Sequence, residues 1–415
     1  MGGINKEILK KADNGHVRFL IVPNKIALTP QSSIDAHWEV SDAKTILSLT
    51  AIGAVFAQEI QPELNIPVGI ISVNMGSTSV ECWVPEEMLT KEPFLKSYKY
   101  WQDTIENWDN GAYEKFLTQQ IKAAQKKGKT PPAKETMIKI TETRTLPAGA
   151  YNAMLNPLFP FACKGVVWRQ GEANSSRAVQ YRELLPLMIK HWRTKFENEN
   201  MPFIQISLPS YSRNDKPGQS DVAEMRYIQQ KIAGEVEGCY FIPIVDLNDI
   251  TKSGKATIHP HNKYLAGCRT AKFVLGNLYG IGEKVQVPEY ESSHTEGSKM
   301  IITFKNTGKG LFTGRLNDLK GEEIEKTDGL VNNFIIAGKN KKFVPAKARL
   351  TDENTVEVWC DGVKKPIAVR YAWEGFVRNV NLYNSSKFPV STFRTDSWKL
   401  STENNFKPKI GIVKP

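Results

Sequence analysis

The stretch Gly165-Val166-Val167-Trp168-Arg169-Gln170-Gly171-Glu172-Ala173-Asn174 decides how this chain is read. A short apolar run gives way at once to Arg, Gln, Glu and Asn around a glycine. That is the pattern of a strand buried in a parallel sheet, with a polar loop at its carboxyl end. Ligand sites in such sheets collect on those loops. Gln170, Glu172 and Asn174 are expensive to crowd there unless each bonds something specific. The Asn174 amide suits donation to an oxyanion, and the same residue equally suits capping the helix that follows.

Working outward, Val17–Val22, Val68–Val73, Phe203–Leu208 and Tyr240–Asp246 repeat the short, two-sided apolar pattern. Between them lie helical candidates: the Ala-rich Thr50–Ile60; Tyr181, Leu184, Leu185, Met188, Ile189 and Trp192; Val222, Met225, Ile228 and Ile232; and Leu265, Cys268 and Val274-Leu275. Pro186 should kink or interrupt the second of these. Strand–helix alternation over residues 1–285 implies a three-layer α/β/α domain with a mostly parallel sheet. Residues 98–145 break the rhythm. They are polar, rich in Lys and Gln, and carry a Lys-Thr-Pro-Pro break at Lys129–Pro132, which reads as an inserted helical excursion.

After Gly282 the texture turns to β. Met300–Phe304, Phe334–Ala337, Thr355–Trp359 and Ile367–Trp373 are short runs separated by Gly, Asn and Asp turns, so residues 286–415 read as a small antiparallel sandwich. In the last run Ile367, Val369, Tyr371 and Trp373 are expected on a packed face. Ala368, Arg370 and Ala372 are expected on a wet one.

Across the 415 residues, 55 Lys and Arg against 44 Asp and Glu leave a formal charge of +11. The lysines of Lys122–Lys134 and Lys305–Lys347 are interleaved with acids and small polar residues, as on a solvated surface. Nothing resembles a recognition helix or an aromatic RNA platform, so nucleic acid is not an expected partner. Five widely spaced cysteines without a CxxC argue against a thiolate metal site, and neither metal nor cofactor is expected. No apolar run approaches the roughly 18 residues of a membrane span.

Two further loops carry chemistry-bearing residues. Asn74-Met75-Gly76-Ser77-Thr78-Ser79 follows an expected strand, and a glycine there lets a backbone N–H approach a ligand closely; a plain strand-to-helix turn reads the same way. His259 lies between Ile258 and Pro260, just ahead of the last helix, where a stiff loop can aim an imidazole into a cleft. An isolated loop histidine is also compatible with a plain surface position.

Taken together, the motifs resemble a known family. Trp168 to Asn174, followed by Gln180-Tyr181-Arg182, resembles the "WYQGE-x-N…QYR" block of sialate O-acetylesterases. Tyr151-Asn152-Ala153-Met154 with Pro157 resembles their "YNAM…P" segment. Val68-Gly69-Ile70 through Trp83 resembles "PVG…GGT…E-x-W", with Ser77 in place of the second glycine. Met225-Arg226 with Gln229, Ile258-His259-Pro260 with Asn262-Lys263, and Phe334 to Ala348 extend the likeness over nearly the whole chain. The resemblance implies an SGNH-hydrolase-like fold and removal of O-acetyl groups from sialic acid or another acetylated carbohydrate. It implies His259 as general base, Gly76 and Asn174 as oxyanion donors, and Gln170, Glu172 and Arg226 on the sugar side. Glycan processing implies export to the periplasm or beyond.

Two departures from the family pattern matter. Its nucleophile is the serine of an "SGQSNM" block after the first strand, and no such block is present; Met1 falls where the final Met should be. The expectation is that strand and serine lie upstream of an internal start, leaving this chain inactive and missing a central strand. Ser77 and Ser79 are not expected to substitute. Second, Ala256 and Thr257 stand where the family places an Asp before the histidine, leaving Asp246, Asp249 or a backbone carbonyl to orient the ring. The rival expectation is a non-catalytic carbohydrate-binding pseudoesterase.

Overall fold

A computed structural model describes residues 2–126, 128, 143–159, 161–211, 215–248, 256–260, 262–316 and 324–408. The chain opens with α1 (Gly2–Lys10), β1 (Asn14–Ile21), β2 (Trp38–Ser41), α2 (Ala51–Leu64) and β3 (Val68–Ser72). β1 runs parallel to β3, with Phe19 beside Ile70, and β2 adds an antiparallel edge that the apolar pattern did not announce. Thr50 starts α2 by accepting from the Gly53 N–H, and Asn65 ends it in left-handed backbone at φ 51°. Helices α3 (Glu86–Leu89), α4 (Leu95–Glu106) and α5 (Asn110–Lys126) follow. The Lys129–Pro132 break lies outside the described residues.

A second sheet is wholly parallel. β4 (Val166–Trp168), β5 (Phe203–Ile206) and β6 (Cys239–Ile242) alternate with α6 (Ala178–Lys195), α7 (Asp221–Glu235) and α8 (Tyr264–Val274). Its central strand shows why the run is apolar on both faces. Phe203 points into a core with Leu184, Met188 and Trp192 of α6 and Val222 and Met225 of α7. Ile204 and Ile206 point the other way, against Leu265 and Phe273 of α8 and Ile52 of α2. Helices therefore cover both faces, the α/β/α layering of an SGNH-like fold.

The first sheet, ordered β2-β1-β3, and the second, β4-β5-β6, share no hydrogen-bonded ladder among the described residues. β3 and β4 each end a sheet. Central strands of a doubly covered sheet are normally buried throughout, as all four residues of β5 are. Val167 in β4 is instead 38% exposed, and Gly69 in β3 is open. Among the described residues, β3 and β4 each keep one edge without a ladder partner.

Pro186 does not interrupt α6, which runs unbroken from Ala178 to Lys195. The carbonyl that loses its partner belongs to exposed Arg182, where water can replace the missing N–H, while Leu184, Leu185 and Met188 anchor the helix on its buried side.

The remaining strands are β7 (Glu289–Glu296), β8 (Lys299–Lys305), β9 (Leu311–Leu316), β10 (Ile324–Lys326), β11 (Phe334–Ala337), β12 (Val344–Pro345), β13 (Lys347–Leu350), β14 (Thr355–Trp359), β15 (Ala368–Tyr371), β16 (Leu382–Asn384) and β17 (Phe393–Arg394). Every pairing among them is antiparallel, in sheets ordered β13-β14-β8-β7, β12-β11-β15-β17 and β10-β9-β16. One expectation fails here. β15 is buried at all four residues, so it has no wet face, and Ile367, expected inside, is half exposed. The reason is Arg370. It reaches across to Asp396 in a two-pronged pair and to the Gly218 carbonyl of the α/β part, so the polar face is buried by partners rather than by water.

Candidate active site

The loops after β3 and β4 are joined by side chains. Gln170 donates to the Thr78 carbonyl at 3.0 Å and to Asn174 Oδ1 at 2.8 Å. Asn174 Oδ1 also accepts from the Val80 N–H at 3.0 Å, and its Nδ2 donates to Glu81 Oε2 at 3.2 Å. Glu81 in turn accepts from Arg177 at 2.5 Å, and Arg177 donates to Gln180 at 2.6 Å. Trp83 Nε1 donates to the Thr78 hydroxyl, which itself donates to the Met75 carbonyl. The result is one buried polar network spanning residues 75–83 and 170–180.

Electrostatics explains how a carboxylate survives inside it. Burial pushes the Glu81 carboxyl up, but the Arg177 guanidinium, through its charge and its hydrogen bond, overrides burial and holds it at about 2. Glu81 is ionised throughout the physiological range. Cys82, next to it, is pushed the opposite way, up to about 12, by burial and by the Glu81 charge. That thiol is no nucleophile.

In front of this network stands Gly76. It is exposed, with open space where a side chain would be, so its backbone can meet a ligand. Ser77 follows in left-handed backbone at φ 68°, a conformation that favours glycine. On the other loop, Gly171 has φ 147°, and an added Cβ would come within 3.2 Å of Gln229 Nε2 and of Leu208. Gln229 of α7 donates to the Gln170 carbonyl and accepts from the Leu208 N–H, fixing that turn from behind. Arg169 and Glu172 face each other at 3.3 Å, both partly open to solvent. The third loop carries His259 exposed, its N–H donating to Thr257 Oγ1 at 2.9 Å. Its neighbour Ile258 packs on the same apolar core as Met75 and Val73 of the first loop.

A family model described as a carbohydrate esterase, sialic acid-specific acetylesterase, matches residues 145–263, the segment holding Gln170, Asn174 and His259. Over that segment the chain is similar to this family. It is 23% identical over 288 residues to the mouse sialate O-acetylesterase, an alignment covering 64% of this chain and 51% of that protein. To the human sialate O-acetylesterase it is 22% identical over 385 residues, covering 87% and 64%. The chain thus spans between about half and two thirds of the length of these relatives. Among solved structures it resembles a carbohydrate acetylesterase from Xanthomonas citri, with 27% identity, a TM-score of 0.73, and coverage of 95% of this chain and 76% of that one.

The structure brings Gly76, Gln170 and Asn174 onto two joined loops and leaves Glu172 beside them. Asn174 is fully buried, so its amide faces Glu81 and not an open cleft. Arg226, expected on the sugar side, is placed elsewhere. It is fully buried and donates to Thr392 Oγ1 and to the carbonyls of Pro209, Ala372 and Glu374, clamping the β-rich part onto α7. Burial lowers its pKa to about 10, and it presents nothing to a ligand. Asp246 is likewise committed: Arg269 grips it with two hydrogen bonds of 2.7 and 2.6 Å, and Tyr383 adds a third at 3.2 Å. It does not orient His259. Asp249 lies outside the described residues.

Arg177 and Gln180 hold the site from within, yet no role was expected of them. Glu81 and Gln180 stood inside motif blocks quoted for their resemblance. Arg177 had no signal at all, since a buried arginine is recognised only by the carboxylate that meets it.

Proposed function

We propose that this chain is the body of a serine-type carboxylic ester hydrolase that removes O-acetyl groups from sialic acid or other acetylated glycans. The observation that carries this reading is the buried network joining the loops after β3 and β4, which holds the exposed Gly76 backbone at the ends of parallel strands. His259 takes the proton of a serine hydroxyl, the serine oxygen attacks the acetyl carbon, and the Gly76 N–H meets the developing oxyanion. Expulsion of the sugar oxygen, reprotonated by His259, leaves an acetyl-serine that water cleaves to acetate. Asn174 acts by fixing the loop that presents Gly76, and Glu172 with Arg169 faces the sugar. Work on glycans is the ground for proposing a periplasmic or extracellular location; among the described residues no helix is long and apolar enough to cross a membrane.

The nucleophilic serine, in this proposal, arrives on a further strand seated between the free edges of β3 and β4, and the present chain alone releases no acetate. Ser79 is buried against Cys82 and unsuited to the task. Acetate release from 9-O-acetyl sialic acid tests the reading, with this chain compared against one extended at its start by a strand ending in Gly-Gln-Ser-Asn. Activity only in the extended form, abolished by His259→Ala, supports it. Turnover by the present chain, untouched by His259→Ala, overturns it. The rival, a carbohydrate-binding pseudoesterase, draws on one observation: with Asp246 locked to Arg269, no carboxylate among the described residues bonds the His259 ring. An extended chain that binds the glycan and releases no acetate decides for the rival.

A further inference from the structure

β1 and β2 pair antiparallel, and a turn of about two residues can join such a pair. Residues 22–37 join them instead, with no helix or strand of their own. Loops of that length are uncommon in a compact domain, and those held in place are usually functional. This one is held. The Ala27 N–H donates to the Gly149 carbonyl at 3.1 Å and the Gln31 N–H to the Asn152 carbonyl at 2.9 Å. Asn152 Nδ2 donates in return to the Ala27 carbonyl at 3.1 Å, and Asn156 Nδ2 to the Gln31 carbonyl at 2.9 Å. The asparagine of the Tyr151-Asn152-Ala153-Met154 motif, unused by the chemistry, is thus spent on this loop.

Its placement ties the loop to the candidate active site. The Val22 N–H donates to the Ser72 carbonyl at 3.0 Å, so the loops after β1 and β3 leave the same end of adjacent parallel strands, about 4.8 Å apart. The Ala148 N–H donates to the Glu81 carbonyl at 2.9 Å, which joins the anchoring segment to the network behind Gly76. Ala27 and Ile34 pack on the same core as Met75.

The loop encloses a cavity of about 190 Å³. Pockets for drug-sized ligands run to about 300–1,000 Å³, so this one suits a single ring. Ile26, Ile34 and Ala153 give it an apolar wall, and Lys25 and Asp35 give it two charges. Both charged side chains are exposed, and neither forms an ion pair among the described residues. Both can therefore meet a ligand. A free ammonium supplies charge-assisted donors, and a free carboxylate accepts hydroxyl protons. Together they match a sugar with a carboxylate on one edge and hydroxyls on another. Asp35 repels an anion, which confines the carboxylate to the Lys25 side.

We infer that Lys25 reads the carboxylate of an acidic sugar in this cavity, so that the acetyl carrier beside Gly76 is a sialic or uronic acid. Lys25 is a specificity residue with no part in bond cleavage. The choice of a sugar as ligand rests on the esterase reading; the preference for a carboxylate rests on the cavity alone.

Saturation-transfer NMR on the whole chain tests it without turnover. The probes are the methyl glycosides of N-acetylneuraminic acid and of glucuronic acid, each beside its carboxamide, which keeps the shape and removes the charge. At least one acid is expected to bind about tenfold more tightly than its amide, and which acid does so separates the two sources. Lys25→Gln should abolish that preference, and Lys25→Arg should restore most of it. The same loss of charge at exposed Lys339 in the β-rich part, Lys339→Gln, should leave it intact. Lys25 is exposed, so its variants fold. No saturable binding up to roughly 50 mM, equal binding of acid and amide, a preference that survives Lys25→Gln, or one that Lys339→Gln removes equally, overturns the proposal. Acetate release by the extended chain judges the esterase reading separately, so either can fail alone.

Discussion

Arg177 and Glu81 meet at 2.5 Å with side-chain exposures of 0% and 2%, each far from its partner in sequence. Removing one member of such a pair leaves the other charged and unsolvated, typically a loss of about 3–5 kcal/mol. Glu81→Gln is therefore expected to lower stability by about that much in urea unfolding. It should also disconnect Asn174, because the same carboxylate accepts the Asn174 amide. Arg177→Met should be as damaging, since Glu81 would then be stranded.

The same pair sets an acid limit. The Glu81 carboxyl titrates near 2 in the folded chain against an ordinary 4.5. A depressed folded value means stability that is fully present above pH 4.5 and drains away as pH falls toward 2. The contribution is about 3 kcal/mol. Unfolding free energies measured between pH 6 and pH 2.5 should fall less steeply in Glu81→Gln than in the parent. Equal slopes would remove Glu81 from the acid limit.

Ser77 occupies φ 68° on the loop that presents Gly76. A side chain in that region is strained, and glycine is not. Ser77→Gly is expected to raise stability by about 0.5–1 kcal/mol, seen as an upward shift in thermal midpoint. A downward shift would mean that a contact of the Ser77 hydroxyl outweighs the backbone strain.

Much of this was legible in the sequence, and the exceptions have physical causes. The run around Phe203 announced a buried parallel strand because helices cover both of its faces. The loops at Gly76 and Gln170 announced themselves through polar residues crowded at strand ends. Arg226 misled because a long cation looks like a ligand group until its acceptors, which sit as far along the chain as Thr392, are known. β15 misled in the same way. Alternation reads Arg370 as solvated, whereas Asp396 and the Gly218 carbonyl receive it inside. Long-range partners of charged residues are what a linear pattern cannot carry.

Arg226 supplies a sharper test of that lesson. As a clamp its value lies in the fork of the guanidinium, which reaches Thr392, Pro209, Ala372 and Glu374 at once. Arg226→Lys keeps the charge and loses the fork, so stability should fall by about 2–4 kcal/mol, with no rescue from the conserved charge. A sugar-contacting arginine would behave otherwise, weakening glycan affinity while leaving the unfolding curve in place.

Asp246 separates two accounts of the histidine. Its oxygens are taken by Arg269 and Tyr383, with side-chain exposures of 1% for Asp246 and 4% for Arg269. In this arrangement it is a strut between α8 and the β-rich part, and Asp246→Asn should cost about 3–5 kcal/mol by stranding Arg269. In an active form of the protein, turnover of a small acetyl ester at a temperature where the variant stays folded should change little. Were Asp246 the partner of His259, the ranking would reverse. Asn would leave the imidazole without its anion, kcat would fall by orders of magnitude, and the loss would persist at every temperature where the variant is folded. Measuring unfolding and kcat on the same preparation distinguishes strut from catalytic partner, because burial ties the first outcome to Arg269 and charge ties the second to His259.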